Sequence, residues 1–349
     1  MATTKNITMK QYNGTDYDTL YPKTIASQVD GVYNKTEILT AATAALYGLG
    51  SDAVPDDVFK TLGAELRIMA ESGTVVTVSK DDVTLRATAD SSGLAVFKIP
   101  TFGAWTLKAT VNGKDLVSTF VIDAIAVFNT CLTTNLEDAS WGQISAMAEA
   151  GNADSVWSVG DIKTIKFDGV SYTAQIIGFN HDTKTAGGKA GITFQLVDCL
   201  NTLYVMNSSD TNVGGWKSSL LRSSMSSSFF GKLDEDLQRV IKPVNKLVSV
   251  GNNTSTIETV SDKLFLLSEV EIFGSTRYSF AGEGSQYDWY KAGNTVNKKV
   301  NGSISSWWER SPRSGGTAYF CAVSSGNAGG YAHYNYAGSS TGVAFGFCV

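Results

Sequence analysis

The sequence predicts a multidomain chain: a short helical N-terminal segment, a small β-sandwich, and a larger α+β domain at the C-terminal end. Three observations carry this expectation. Brief stretches near the N-terminus space their apolar residues as helices do. A series of short β-branched runs broken by turn signals follows. After these, helical and strand patterns alternate without a repeated βαβ order. The composition agrees, since only 17% of the 349 residues are charged and 34 glycines with many Ser, Thr and Asn fill the gap, as short strands and frequent turns require.

Residues 1–70 read as the helical segment. In "KTEILTAATAALYGLG", Thr36 suits a helix N-cap, Ile38, Leu39, Ala42 and Leu46 are the apolar positions, and Gly48 is the stop. In "DAVPDDVFKTLG", Pro55 suits a first turn, while Val58, Phe59 and Leu62 share one face. Two helices this short bury too little to fold alone and need a partner, such as a symmetry mate.

Residues 71–128 carry the runs "TVVTV", "VTLRA", "LAVFKI", "AWTLKATV" and "DLVSTFVI". Asn112-Gly113 marks a hairpin, because both residue types tolerate positive φ. Trp105, Leu107, Ala109 and Val111 should face inward, with Thr106, Lys108 and Thr110 outward.

Residues 129–349 form the third region. "NLEDASWGQISAMAEAGNA" reads as a helix with Trp141, Ile144, Met147 and Ala148 on its stripe and Gly151 as its end. "VGDIKTIKFDGVSYTAQIIGFNHD" reads as a hairpin turning at Asp168-Gly169. "ITFQLVD" and "YVMN" add strands, "GGWKSSLLRSSMSSSFFGKLDEDLQRVIKPV" adds two short helices, and "GTAYFCAV" and "TGVAFGFCV" are the terminal strands.

A net charge of −5 without any basic block argues against nucleic acid and against anionic membranes. No apolar run reaches transmembrane length, and the start lacks the profile of a secretion signal. Cys131, Cys199, Cys321 and Cys348 show no metal-like spacing and read as reduced, mostly buried thiols, with a Cys321–Cys348 disulfide as the minor alternative. No catalytic set and no cofactor site emerges. "NHD" offers His181 and Asp182 without a third ligand, so a solvated turn is favoured over a metal site. Glu283 and Asp288 could be drawn as an acid–base pair, but two acids in a Gly/Ser loop are common. Trp216, Trp307 and Trp308 read as core, whereas Trp289, between Tyr287 and Tyr290, is a contact candidate.

Between the last two strands lies "SSGNAGGYAHYNYAGSST", residues 324–341. Uncharged, small and rich in Tyr, it has the composition of a displayed binding loop. Asn327, Tyr331, His333, Tyr334, Asn335, Tyr336 and Ser339 are its expected ligand contacts.

Two parts of the chain resemble known families. "YNGTDYDTLYPKTIASQVDG" with "LYGLGSDAVPDDVFKTLG" looks like the N-terminal portion of tail-fibre and baseplate-associated proteins of phages and prophages of Gram-positive bacteria. The β module resembles the immunoglobulin-like spacers of surface and phage proteins. "WWERSPRSGGTAYFCAV" and "GVAFGFCV" look like the end of a C-type-lectin-like domain, and "SWGQISAMAEAG", "GGWKSSLLRSSM", "KLFLLSEVEIFG" and "YSFAGEGSQYDWY" resemble an uncharacterised family of phages and Firmicutes. The resemblance implies a virion receptor-binding (host-attachment) protein in three parts: residues 1–70 for tail attachment or oligomerisation, 71–128 as immunoglobulin-like spacer, and 129–349 as a C-type-lectin-like domain binding a host surface protein or glycan. It implies tail or baseplate proteins as partners, a homotrimer, and synthesis in the host cytoplasm, with a bacterial surface adhesin or an enzyme on the same scaffold as alternatives. Trp307, Trp308 and Arg310 would be scaffold beneath the displayed segment. The calcium-binding tripeptides of animal C-type lectins are absent. Some phages diversify such loops through a retroelement that mutates adenines. In AAC or AAT codons this reaches Asn, Ser, Tyr, His, Gly, Ala, Thr and Asp but never a stop, and every residue of 324–341 lies in that set.

Overall fold

The computed structural model describes residues 64–123, 127–326 and 330–349. The expected N-terminal helices, with Thr36 and Pro55, lie outside the described residues. Packing divides the chain into two units. The larger holds Ile68–Ala95, Trp105–Phe120 and Asn129–Val349; among the described residues the smaller holds 64–67, Val96–Ala104, 121–123 and 127–128.

Strands β1 (Ala64–Met69), β2 (Val75–Lys80), β3 (Val83–Thr88), β4 (Leu94–Ile99), β5 (Gly103–Val111), β6 (Lys114–Ile122) and β7 (Val127–Cys131) come first. They make one sheet of order β4-β1-β7 and another of order β3-β2-β5-β6. Strand β1 falls inside the segment read as non-sheet, because its buried alternation at Ala64, Leu66 and Ile68 is masked by the charged Glu65 and Arg67. On β5, Trp105, Leu107, Ala109 and Val111 are buried. Asn112 and Gly113 turn the hairpin at φ 50° and 74°.

The region from 129 onward is corrected from α+β to mostly β, and the C-type-lectin-like fold class expected there falls with it. Six short α-helices occur among the described residues: α1 (Trp141–Glu149), α2 (Ala153–Val156), α3 (Leu220–Ser224), α4 (Glu235–Val240), α5 (Glu269–Phe273) and α6 (Asp288–Lys291). The longest, α1, has nine residues. The Ser-rich stretch does not hold a regular α-helix: Leu220–Lys232 passes from α through a π turn into a 3-10 turn, and Ser226, Ser227 and Ser228 bond their hydroxyls back to carbonyls four residues earlier.

The central sheet of this region joins β8 (Ile162–Phe167), β9 (Val170–Phe179), β11 (Ile192–Leu196), β14 (Leu264–Phe265) and β20 (Gly346–Cys348) in the order β14-β20-β11-β9-β8. All its pairings are antiparallel. Every residue of β11 and β20 is buried, and Phe194 stacks on Phe347 with ring centroids 5.3 Å apart. Helix α1 covers this core: Trp141 meets Phe194 edge-on at 5.7 Å, and Gly191 admits the helix, since a Cβ there would lie 2.6 Å from Ala148. Strands β10 (Thr183–Lys184), β12 (Val244–Ser249) and β13 (Ile257–Asp262) form a second sheet, and β15 (Lys298–Val300) pairs with β16 (Ser303–Ser305). The third, β17 (Trp307–Pro312), β18 (Tyr319–Ser324) and β19 (Tyr331–Tyr336), has β19 at its edge. "YVMN" makes no strand, only one bridge between Tyr204 and Thr341.

Candidate functional site

The site is built outward from a buried charge network. Strand β17 bulges between Trp308 and Pro312, which turns Arg310 into the interior. Arg310 donates to both carboxylate oxygens of Glu271, one contact at 2.9 Å, and to the Leu266 and Glu283 carbonyls at 3.0 and 2.6 Å. Lys246 lies 2.8 Å from Glu271 and 2.7 Å from Asp182. The Tyr287 hydroxyl donates to Asp182 at 2.8 Å. Burial alone would push the Asp182 and Glu271 carboxyls up. The Lys246 ammonium beside Asp182, and Arg310 with Lys246 beside Glu271, outweigh it and hold both below the usual carboxylate range.

Glu271 sits on α5, whose N-terminus is a capping box: the Ser268 hydroxyl accepts from the Glu271 amide while Glu271 accepts from the Ser268 amide. The same first turn carries Glu269. Its buried carboxylate accepts from the Arg277, Tyr278 and Ser279 amides and from the Ser279 hydroxyl, at 2.7–3.0 Å. Four donors on one carboxylate fix the backbone at 277–279 and so place Tyr278. A second clamp is Asn212, fully buried, whose side-chain amide donates to the carbonyls of Arg313, Gly316 and Tyr319. The Ser314 amide and hydroxyl both donate to the Tyr278 carbonyl, at 2.7 and 2.8 Å, tying the two clamped turns together.

These clamps present an aromatic face with a cation in it. Tyr334 meets Tyr278 and Tyr319 edge-on at 5.0 and 5.3 Å, and Tyr319 lies 4.5 Å from Tyr336. The Arg313 guanidinium lies 3.8 Å from the Tyr334 ring centre and 5.2 Å from that of Tyr319. A hydrogen bond with Tyr336 raises the Tyr319 phenol above its usual range. Tyr336 is half exposed. Among the described residues the Arg313 guanidinium forms no ion pair, and the rings of Tyr319 and Tyr334 are its aromatic neighbours.

The expected contact residues are only partly gathered here. The displayed loop 324–341 is corrected: 331–336 is a strand, paired with β18 over six residues from Ser324↔Tyr331 to Tyr319↔Tyr336. The cause is pairing with the buried β18 along all six residues, helped by three tyrosines and overriding the weak strand preference of Ala332 and Asn335. The His333 ring stacks on that of Tyr334 at 5.1 Å, so the rings of β19 are not parted onto two separate faces. Tyr331 is exposed with His333 at 6.1 Å, and Asn335 bonds Thr341. Ser339 closes the tight turn after β19 through its amide to the Tyr336 carbonyl. Asn327 lies outside the described residues. Trp289 belongs to a separate cavity of about 520 Å³, with Tyr172, Gln175 and Asp198.

Trp307, Trp308 and Arg310 are all completely buried. The indoles donate to the Val296 and Tyr204 carbonyls at 3.0 and 2.8 Å. The solvated turn expected at "NHD" is corrected. Asp182 is buried because Lys246, Tyr287 and Thr193 converge on it, and the His181 ring stacks on Tyr287 at 3.9 Å. Glu283 and Asp288 are not brought together as a pair: Glu283 is buried, with burial pushing its carboxyl up, while Asp288 is exposed at the start of α6. All four cysteines are free thiols. Sequence reading missed Tyr278, Arg313, Tyr319, Asn212 and Glu269; one signal was available, the Ser268-x-x-Glu271 capping pattern that announces α5.

Residues 191–348 match the family described as "Domain of unknown function (DUF6273)". That stretch contains β11 through β20 and the whole tyrosine–arginine face. No curated protein matches the chain.

Proposed function

We propose that this chain is a receptor-binding protein of a phage or prophage tail, which holds a host surface ligand non-covalently on the face formed by Tyr278, Arg313, Tyr319, Tyr334 and Tyr336. The observation that supports binding is the Arg313 guanidinium, 3.8 Å from the Tyr334 ring centre and, among the described residues, engaged by no carboxylate. Tyrosines supply rigid contact area at low entropic cost, and a stacked guanidinium still offers donors to an incoming acceptor. A binding role is favoured over catalysis because Asp182, Glu269 and Glu271 are spent on buried structural contacts. The tail setting rests on the resemblance of residues 9–63 to tail-fibre and baseplate-associated proteins. In this reading residues 1–70 join tail proteins, the β module acts as spacer, and a homotrimer multiplies weak sites into avidity.

The test is adsorption of the intact chain to host cells, wild type against Arg313→Ala and a Tyr334→Ala/Tyr336→Ala double variant. Loss of adsorption with an unchanged melting temperature supports the reading. Equal adsorption by all three proteins overturns it.

A further inference from the structure

We propose that the cavity beside Trp289 is a second ligand site, built for a neutral pyranose sugar. Its volume of about 520 Å³ falls within the roughly 300–1,000 Å³ of small-molecule sites. It stands apart from the β19 face and does not depend on how that face is read.

The central observation is Gln175. It is only 6% exposed and lines the cavity, yet among the described residues its side-chain amide forms no hydrogen bond. The residue is buried but its amide opens to the cavity, so a ligand entering there meets an unused donor and acceptor. Its neighbour makes the contrast. Gln195 lies directly across the β9–β11 ladder and spends both ends of its amide, accepting from the Tyr290 hydroxyl at 2.6 Å and donating to the Ala344 carbonyl at 3.2 Å. One glutamine is structural. The other keeps a donor and an acceptor pointed at an open cavity.

The remaining lining suits a sugar ring. Ser171, Thr173 and Gln175 alternate along β9 and therefore share one face, setting two hydroxyls and an amide in a column. Trp289, half-buried on α6, supplies a flat apolar face. Its indole lies against the backbone at Gly160, where φ is 100° and a Cβ would come within 2.9 Å of the ring, so glycine there is what lets the platform seat. Asp198 accepts the Lys299 amide on one carboxylate oxygen at 2.8 Å and has the other available for a ligand hydroxyl. An aromatic plane, a ladder of uncharged donors and acceptors, and one spare carboxylate oxygen match the apolar face and hydroxyl edge of a pyranose.

The experiment is saturation-transfer NMR and calorimetry on the intact chain with glucose, galactose and N-acetylglucosamine as probes. Wild type is compared with Trp289→Ala, Gln175→Leu, Asp198→Ala and, as the control at the other face, Tyr334→Ala. The expected result is saturable binding of at least one sugar, weakened about tenfold or more by Trp289→Ala and Gln175→Leu and unchanged by Tyr334→Ala. Asp198→Ala, an exposed position, keeps the test decisive if Trp289→Ala fails to fold. Absence of saturable binding by every probe overturns the proposal. So does binding that survives Gln175→Leu and Asp198→Ala unchanged. A sugar whose binding is lost in Tyr334→Ala but not in Gln175→Leu would place saccharide recognition at β19 instead, and would overturn this site while leaving the first reading intact.

Discussion

Arg310 and Glu271 form a two-pronged ion pair with neither side chain more than 2% exposed. Lys246 stands on the same carboxylate, and its second partner is Asp182. The network is a bracket. It fixes β17, β12 and α5 to one another, and α5 in turn holds the 277–279 turn through Glu269. The tyrosine–arginine face proposed to bind therefore depends on charges buried beneath it.

Removing one member should be far more damaging than its exposed counterparts suggest. Glu271→Ala leaves two buried cations with one carboxylate between them, and urea unfolding should show a loss of about 3–5 kcal/mol. Arg239→Ala breaks the exposed pairs with Glu235 and Asp236 and should cost less than about 1 kcal/mol. Similar losses for both would contradict the bracket.

Stability should fall at both ends of the pH range, for different residues. Asp182 and Glu271 have depressed folded values, so their contribution is complete above their unfolded values near pH 4 and is lost as the pH falls further. Glu309 runs the other way. Among the described residues its buried carboxyl has no hydrogen-bond partner on either oxygen, and burial, then the neighbouring Glu269 and Glu283, push it well above the usual range. Its contribution is present below about pH 4.3 and is lost as the pH rises through the raised folded value. Melting curves from about pH 4 to 9 should show wild type weakening toward the alkaline side, and Glu309→Gln should flatten that decline. An unchanged slope in the variant would refute the assignment.

Asn212→Ala should cost about 2–3 kcal/mol, because it strips partners from three carbonyls in the 313–319 turn. Unlike a core truncation, it should also weaken host adsorption through Arg313, by more than a surface variant of equal stability does.

Thiol reactivity gives a test of packing. Burial pushes Cys199 up to about 12 and Cys321 and Cys348 well above their usual values, whereas Cys131 is half-buried with a smaller upward push. Iodoacetamide at neutral pH should label Cys131 first in the native protein and all four only in denaturant, as read by mass spectrometry. Rapid native labelling of Cys321 or Cys348 would contradict the burial of β18 or β20.

What could be read from the chain was what is decided locally. The turns at Asn112-Gly113 and Asp168-Gly169 were legible because both residues of each take positive φ. Helix α1 was legible from Ile144, Met147 and Ala148 on one stripe. Strand β19 was not, since its register is imposed by β18 and both its faces carry aromatic or polar rings, leaving no alternation to read. The ion network was hidden for a similar reason. A buried Lys246 or Arg310 looks like any surface cation until strands distant in sequence bring carboxylates to it. "NHD" was misread because Asn180 does make a turn, at φ 51°, while the next two side chains point inward.

The most direct test of the central claim is hydrogen exchange on the intact chain, with and without a host cell-envelope preparation. The account predicts new protection at 277–279, 313–319 and 331–336. Protection elsewhere, with these three stretches exchanging as in the free protein, would contradict it.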